Sequence, residues 1–203
     1  MVSQSVNMLK RTGNRRQALE ARRDLLVLVS AVCLGLVNVE IAIATPNKTA
    51  QCDRLVNTAN KMVPIAEQFL QESQNFEKAA NAAGEKGDLS AFQKAANKSA
   101  GVFNRLVTQL ERVTSEIQGL SLADKTLLSF KNEYINVATS INSAFKDTIA
   151  ALTTISNAQH SPAGLEVIQK ASESLDQVAN RMDSVAKSED KLVDSVNNYC
   201  GAK

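Results

Sequence analysis

From Lys48 to Tyr199 the chain places apolar residues at alternating spacings of three and four, in four stretches separated by short polar or glycine-containing breaks. That spacing keeps returning to one face of an α-helix and does not suit the two-residue period of a strand. A helix that is apolar along one face must bury it against other helices. Short breaks make consecutive helices antiparallel neighbours, and a seven-residue period favours left-handed packing. The expected fold class is therefore all-α: an elongated antiparallel up-down-up-down four-helix bundle with coiled-coil-like seams, over residues 45–203. A pair of long αα-hairpins that complete a core only in a homodimer is the rival arrangement.

The first helix is expected over 48–83, with a stripe of Cys52, Leu55, Ala59, Met62, Ala66, Phe69, Phe76, Ala80 and Ala83. Pro64 falls inside it, where it removes one backbone hydrogen bond and should kink the helix. The run from Gly84 to Gly87 ends it. The second helix, 89–118, starts at Asp88 or Ser90, with Ser90 and Gln93 spaced as a capping box. The third, 122–156, opens at Ser121 with Asp124 in its first turn, favourable for the helix dipole. The fourth, 162–200, begins with Pro162 behind a Ser161 cap and stops at Gly201.

Upstream of this pattern lies a different kind of segment. A basic stretch through Arg23 precedes the apolar run from Leu25 to Val37, and Ala42-Ile43-Ala44 precedes Thr45-Pro46. That order is the one a secretory signal peptide uses, so residues 1–44 are expected to be cleaved after Ala44 and the protein exported, to a periplasm or outside the cell. The rival is a membrane anchor formed by residues 25–44. The apolar run falls short of the roughly 20 residues a bilayer demands, and extending it would bury Asn38 and Glu40. From Thr45 onward 17 basic residues face 18 acidic ones, a net of −1. A balanced, interspersed surface offers no electrostatic footprint for nucleic acid, and none for an anionic membrane unless the leader is retained.

Removing the leader removes Cys33 and leaves Cys52 and Cys200 as a pair in an oxidising compartment. In an antiparallel bundle with an even number of helices both chain ends lie at one end of the molecule. A helix start at Cys52 and a helix end at Cys200 are therefore expected to form a disulfide.

Residues for chemistry are scarce. The single histidine, His160, sits in a polar connector, so a di-iron carboxylate site, which needs two Glu-x-x-His pairs, cannot be assembled, and a Ser-His-Asp triad would have to recruit this loop residue with no strand scaffold to hold it. No Cys-x-x-Cys-His run offers covalent haem attachment, and Met62 and Met182 are spaced as core fillers. No cofactor and no metal are expected, and the chain reads as a non-enzyme. Glu189 is the one charge on an apolar stripe; a buried carboxylate with a raised pKa would hint at a site, but the run over 187–191 reads as solvated surface where the helix frays outward. Ser73, Ser99 and Thr148 are small seam residues expected to bond back to their own helices. Asn47-Lys48-Thr49 and Asn97-Lys98-Ser99 match the N-glycosylation pattern. The kink around Met62, Pro64 and Ile65 is the expected place for a ligand-accessible spot. The function expected is an exported interaction or adaptor module working through a protein partner. A small-ligand or metal-carrying bundle, and a membrane-anchored accessory subunit, are the alternatives.

Overall fold

The structure is a computed structural model and describes residues 47–201. The leader, its cleavage after Ala44, the alternative anchor over 25–44 and Cys33 all lie outside the described residues. Within residues 47–201, the elements in chain order are α1 (Lys48–Ala59), a 3-10 turn (Asn60–Met62), α2 (Val63–Lys86), α3 (Leu89–Gln118), α4 (Lys125–Asn157) and α5 (Pro162–Cys200). The described residues are all-helical and contain no strand. α1 and α2 together make the first of four helical segments.

The break between α1 and α2 follows from one residue. Pro64 has no N–H to give the Asn60 carbonyl, so the regular α-helical bond is lost there. The N–H of Val63 bonds to Asn60 instead, which tightens the chain into the 3-10 turn.

Contacts between successive segments run in opposite sequence directions, as antiparallel neighbours require. Lys61, Glu72 and Phe76 meet Glu116, Ser99 and Phe92 in that order. Glu111 meets Lys146 while Gln93 reaches Ala158. Asp124 meets Tyr199 while Asp147 meets Arg181. α3 and α4 share the most extensive seam, α2 packs on α3, and α5 packs on α4. α1 touches α3, α4 and α5.

The core runs along these seams. Leu55, Phe103, Leu106, Leu110, Ile117, Leu127, Phe145, Leu152, Ile155 and Val196 are fully buried. Near the middle, Phe69 of α2 stacks on Phe145 of α4 at 4.5 Å between ring centroids and tilts against Phe103 of α3 at 5.1 Å. One aromatic layer thus joins three helices, and such pairs add about 0.5–1.5 kcal/mol beyond the area they bury.

Helix boundaries correct several sequence expectations. α2 continues through Gly84 and stops at Gly87, whose φ of 62° provides the left-handed cap. α3 is capped by Asp88, which accepts from the Ala91 N–H, so the Ser90–Gln93 capping box does not form. Gln93 is used elsewhere, across the bundle. α4 begins three residues later than expected, at Lys125, with Asp124 as its cap. The connector before it is held out of the helix from two sides. Leu122 is buried in the core, and the N–H groups of Ala123 and Asp124 both donate to the buried Gln51 side chain. α5 does not fray at 187–191; it is unbroken to Cys200. Glu189 is half-buried there, because flanking residues Val185, Leu192 and Val196 hold that face on the core.

Candidate functional site

Cys52 near the start of α1 and Cys200 at the end of α5 form a disulfide with a Cα–Cα distance of 5.8 Å. Around it the ends of three helices are tied together by side chains. The Tyr199 hydroxyl donates to Asp124 Oδ2 at 2.8 Å, while Asp124 Oδ1 accepts from the Thr126 and Leu127 N–H groups. The Leu127 N–H and then the Tyr199 hydroxyl lower the Asp124 carboxyl below its usual range. In return, donating to Asp124 raises the Tyr199 hydroxyl. The Lys48 ammonium lies over the Tyr199 ring at 3.7 Å, and Phe130 meets that ring edge-on. Gln51, beside Cys52, bridges α1 to the connector before α4 at 2.6 Å and 3.1 Å. Each polar group here satisfies another, so the cluster is a lock on the end of the molecule.

At the kink, Met62 and Ile65 are both in the core, at 5% and 4% exposure, and Pro64 is the exposed member. These three residues therefore do not share one accessible surface.

Two grooves lie instead along the seam between α4 and α5. One, of about 870 Å³, has the buried Ala151, Ala171 and Val178 and the exposed Ala150 and Val167 in its lining, with the Asp147–Arg181 ion pair at one end. The other, of about 470 Å³, continues past Thr154 and Val167 to the connector at Asn157, Ala158 and Gln159. Small side chains on both helices leave these grooves open. Leu165 and Val167, two of the exposed large apolar residues, stand on this part of α5.

His160 is exposed, yet it is positioned. Its Nε2 is 2.8 Å from Gln93 Oε1, and Gln93 Nε2 donates to the carbonyls of Ala158 and Ile155. The histidine and Gln93 thus tie the last connector to α3. Gly164, in the first turn of α5, allows that connector to pass close by: a Cβ built there would lie 1.8 Å from the Gln159 carbonyl oxygen.

Ser73 and Thr148 do bond back to their own helices, at Phe69 and Ala144. Ser99 does not. Its hydroxyl crosses to α2 and donates to Glu72 Oε1 at 2.6 Å, with both residues buried. Glu72 was missed at the sequence level, although it stands three residues after Phe69 and four before Phe76, a core register. The same burial of Ser99 places the second Asn-x-Ser pattern inside α3, with Asn97 exposed and Ser99 turned inward. In the first such pattern Asn47 is exposed and caps α1 by accepting from the Thr49 N–H.

Glu189 and Tyr134 form the remaining titratable pair of interest, on α5 and α4. Burial, and then the charge of Asp190, raise the Glu189 carboxyl. Burial and then the Glu189 charge push the Tyr134 hydroxyl up to about 12. Among the described residues no group of three or more His, Cys, Asp or Glu is placed to hold a metal ion, and no helix is long and apolar enough to cross a membrane. Compared with known protein families, characterised proteins and solved structures, the chain matches none.

Proposed function

We propose that the protein is an exported, non-enzymatic interaction module: an antiparallel up-down-up-down four-helix bundle with coiled-coil-like seams, closed at one end by a disulfide. The observation that carries this reading is the Cys52–Cys200 disulfide, a bond that persists in oxidising compartments, in a chain whose first 44 residues follow the order of a signal peptide. The non-enzymatic part is supported by how the polar groups are used. His160, Asp124, Gln51 and Ser99 are each engaged in joining one helix or connector to another. Function then resides in the surface, where a protein partner docks.

The test is affinity purification of tagged protein from its native compartment, with N-terminal sequencing of the same sample. A start at Thr45 and one partner retained at fixed stoichiometry support the proposal. A retained leader supports the membrane-anchored subunit instead. A second reading, a carrier of a small ligand, is favoured by the 870 Å³ groove between α4 and α5. A chromophore or a stoichiometric small molecule in the purified protein would establish it and displace the first reading.

A further inference from the structure

We propose that the Cys52–Cys200 disulfide is a redox latch, whose reduction releases α1 as a unit while α2 to α5 stay packed. The inference concerns the scaffold and does not depend on the adaptor reading. Three features of the geometry carry it.

The first is a built-in boundary. The 3-10 turn at Asn60–Met62, followed by Pro64, interrupts the hydrogen-bond ladder between α1 and α2. The backbone stays right-handed helical here, but the lost bond weakens the coupling of α1 to α2. The second is length. α1 has only 12 residues, and isolated helices of about that length are marginal in water. Its order depends on what it docks against. The third is the nature of that docking. The buried residues of α1 are Gln51, Cys52, Leu55, Thr58 and Ala59, of which Leu55 alone is a large apolar side chain. Cys52, Ala59 and the half-buried Val56 add smaller apolar contacts, and the remaining attachment is polar or covalent: the disulfide, the Gln51 bonds to the connector, and Lys48 over the Tyr199 ring. By contrast α3 and α4 bury Phe103, Leu106, Leu110, Ile117, Leu127, Phe145, Leu152 and Ile155 against each other and their neighbours. The shortest helix is thus fastened by a covalent bond to the longest. Low-stability elements of this kind open locally, without global unfolding.

The chemistry is thiol–disulfide exchange with a dithiol reductant. One thiolate of the reductant attacks the Cys200 sulfur, since Cys200 is partly exposed while Cys52 is 3% exposed. Cys52 leaves as a thiolate and takes up a proton. The second thiol of the reductant then resolves the mixed disulfide, so that both cysteines end as thiols and the reductant as a disulfide. Release of α1 uncovers Leu55 and the surfaces of α3, α4 and α5 that it covered.

Hydrogen exchange of the full mature chain, oxidised and then reduced with dithiothreitol, tests this. Residues 48–59 should exchange at least tenfold faster on reduction, while 103–117 and 144–155 keep their protection. Cys200→Ser should show the same pattern without reductant. Pro64→Ala, at an exposed position, restores the missing backbone bond and should reduce the acceleration. Unchanged protection of 48–59 on reduction would overturn the latch, as would a uniform loss of protection along the whole chain.

Discussion

Ser99 provides a quantitative test of how the first two helical segments are held together. Replacing it with alanine removes the hydroxyl that donates to Glu72 Oε1 at 2.6 Å and leaves a buried carboxylate without that donor. A hydrogen bond to a charged group contributes about 1.5–3 kcal/mol net, and leaving the acceptor unpaired costs more than losing a neutral bond. Alanine recovers about 0.5 kcal/mol through its better helix propensity. The expected loss is therefore about 1–2.5 kcal/mol, which for a domain of this size lowers Tm by roughly 3–8 °C. Ser73→Ala is the internal comparison, because its hydroxyl bonds only to the Phe69 carbonyl of its own helix; it should stay within about 0.5 kcal/mol of wild type. Glu72→Met with Ser99→Ala replaces both partners by apolar groups and should recover most of the loss. Thermal or urea unfolding of the four proteins measures all of this. If Ser99→Ala unfolds within 0.5 kcal/mol of wild type, or if the double variant is as unstable as the single one, the Glu72–Ser99 contact does not hold this seam.

Two glycines predict opposite outcomes for the same substitution. Gly164→Ala would place a Cβ 1.8 Å from the Gln159 carbonyl, so the connector must shift, and unfolding should show a loss of about 1–3 kcal/mol despite the better helix former. Gly101→Ala meets nothing within 4 Å inside α3 and should stabilise by about 0.5–1 kcal/mol. Glu189 sets a pH dependence. Its carboxyl is raised above the usual 4.5 in the folded protein, so above that value the native state holds more protons than the unfolded chain, and stability rises as pH falls through the folded value toward 4.5. Below that range Glu111, Glu116, Asp124 and Glu166, whose carboxyls are all lowered, lose their partners. Urea unfolding against pH should therefore show stability rising on the alkaline side of 4.5 as pH falls and dropping below it, and Glu189→Gln should flatten that rise.

Much of the architecture was readable because helices announce themselves through period. Gly87 and Pro162 punctuate the chain by rules that need no tertiary context. The departures arise where a distant side chain overrides a local signal. Ser121 is a reasonable cap in sequence, but Gln51, some seventy residues earlier, takes the N–H groups of Ala123 and Asp124 and moves the start of α4. Gln93 is three residues after Ser90, yet it turns to the connector at Ala158 rather than to its own helix. Glu189 reads as surface by its charge, while its neighbours in the seven-residue register keep it on the core. Glu72 and Ser73 both fit the spacing between Phe69 and Phe76, and only packing shows that the Glu72 side chain is buried against Ser99. The grooves beside Ala150 and Ala171 were not legible at all: the pattern of α4 and α5 shows small residues, and only packing shows that no larger neighbour fills the space.

Everything proposed for the scaffold turns on two sulfur atoms at opposite ends of the helical chain. Mass spectrometry of protein purified from its native compartment, alkylated before and after reduction, counts them directly. With the disulfide in place, neither Cys52 nor Cys200 is alkylated under native or denaturing conditions until a reductant is added, and then each gains one adduct. Both cysteines alkylated in unreduced, denatured protein would contradict it, and with it the closed end, the latch and the oxidising compartment.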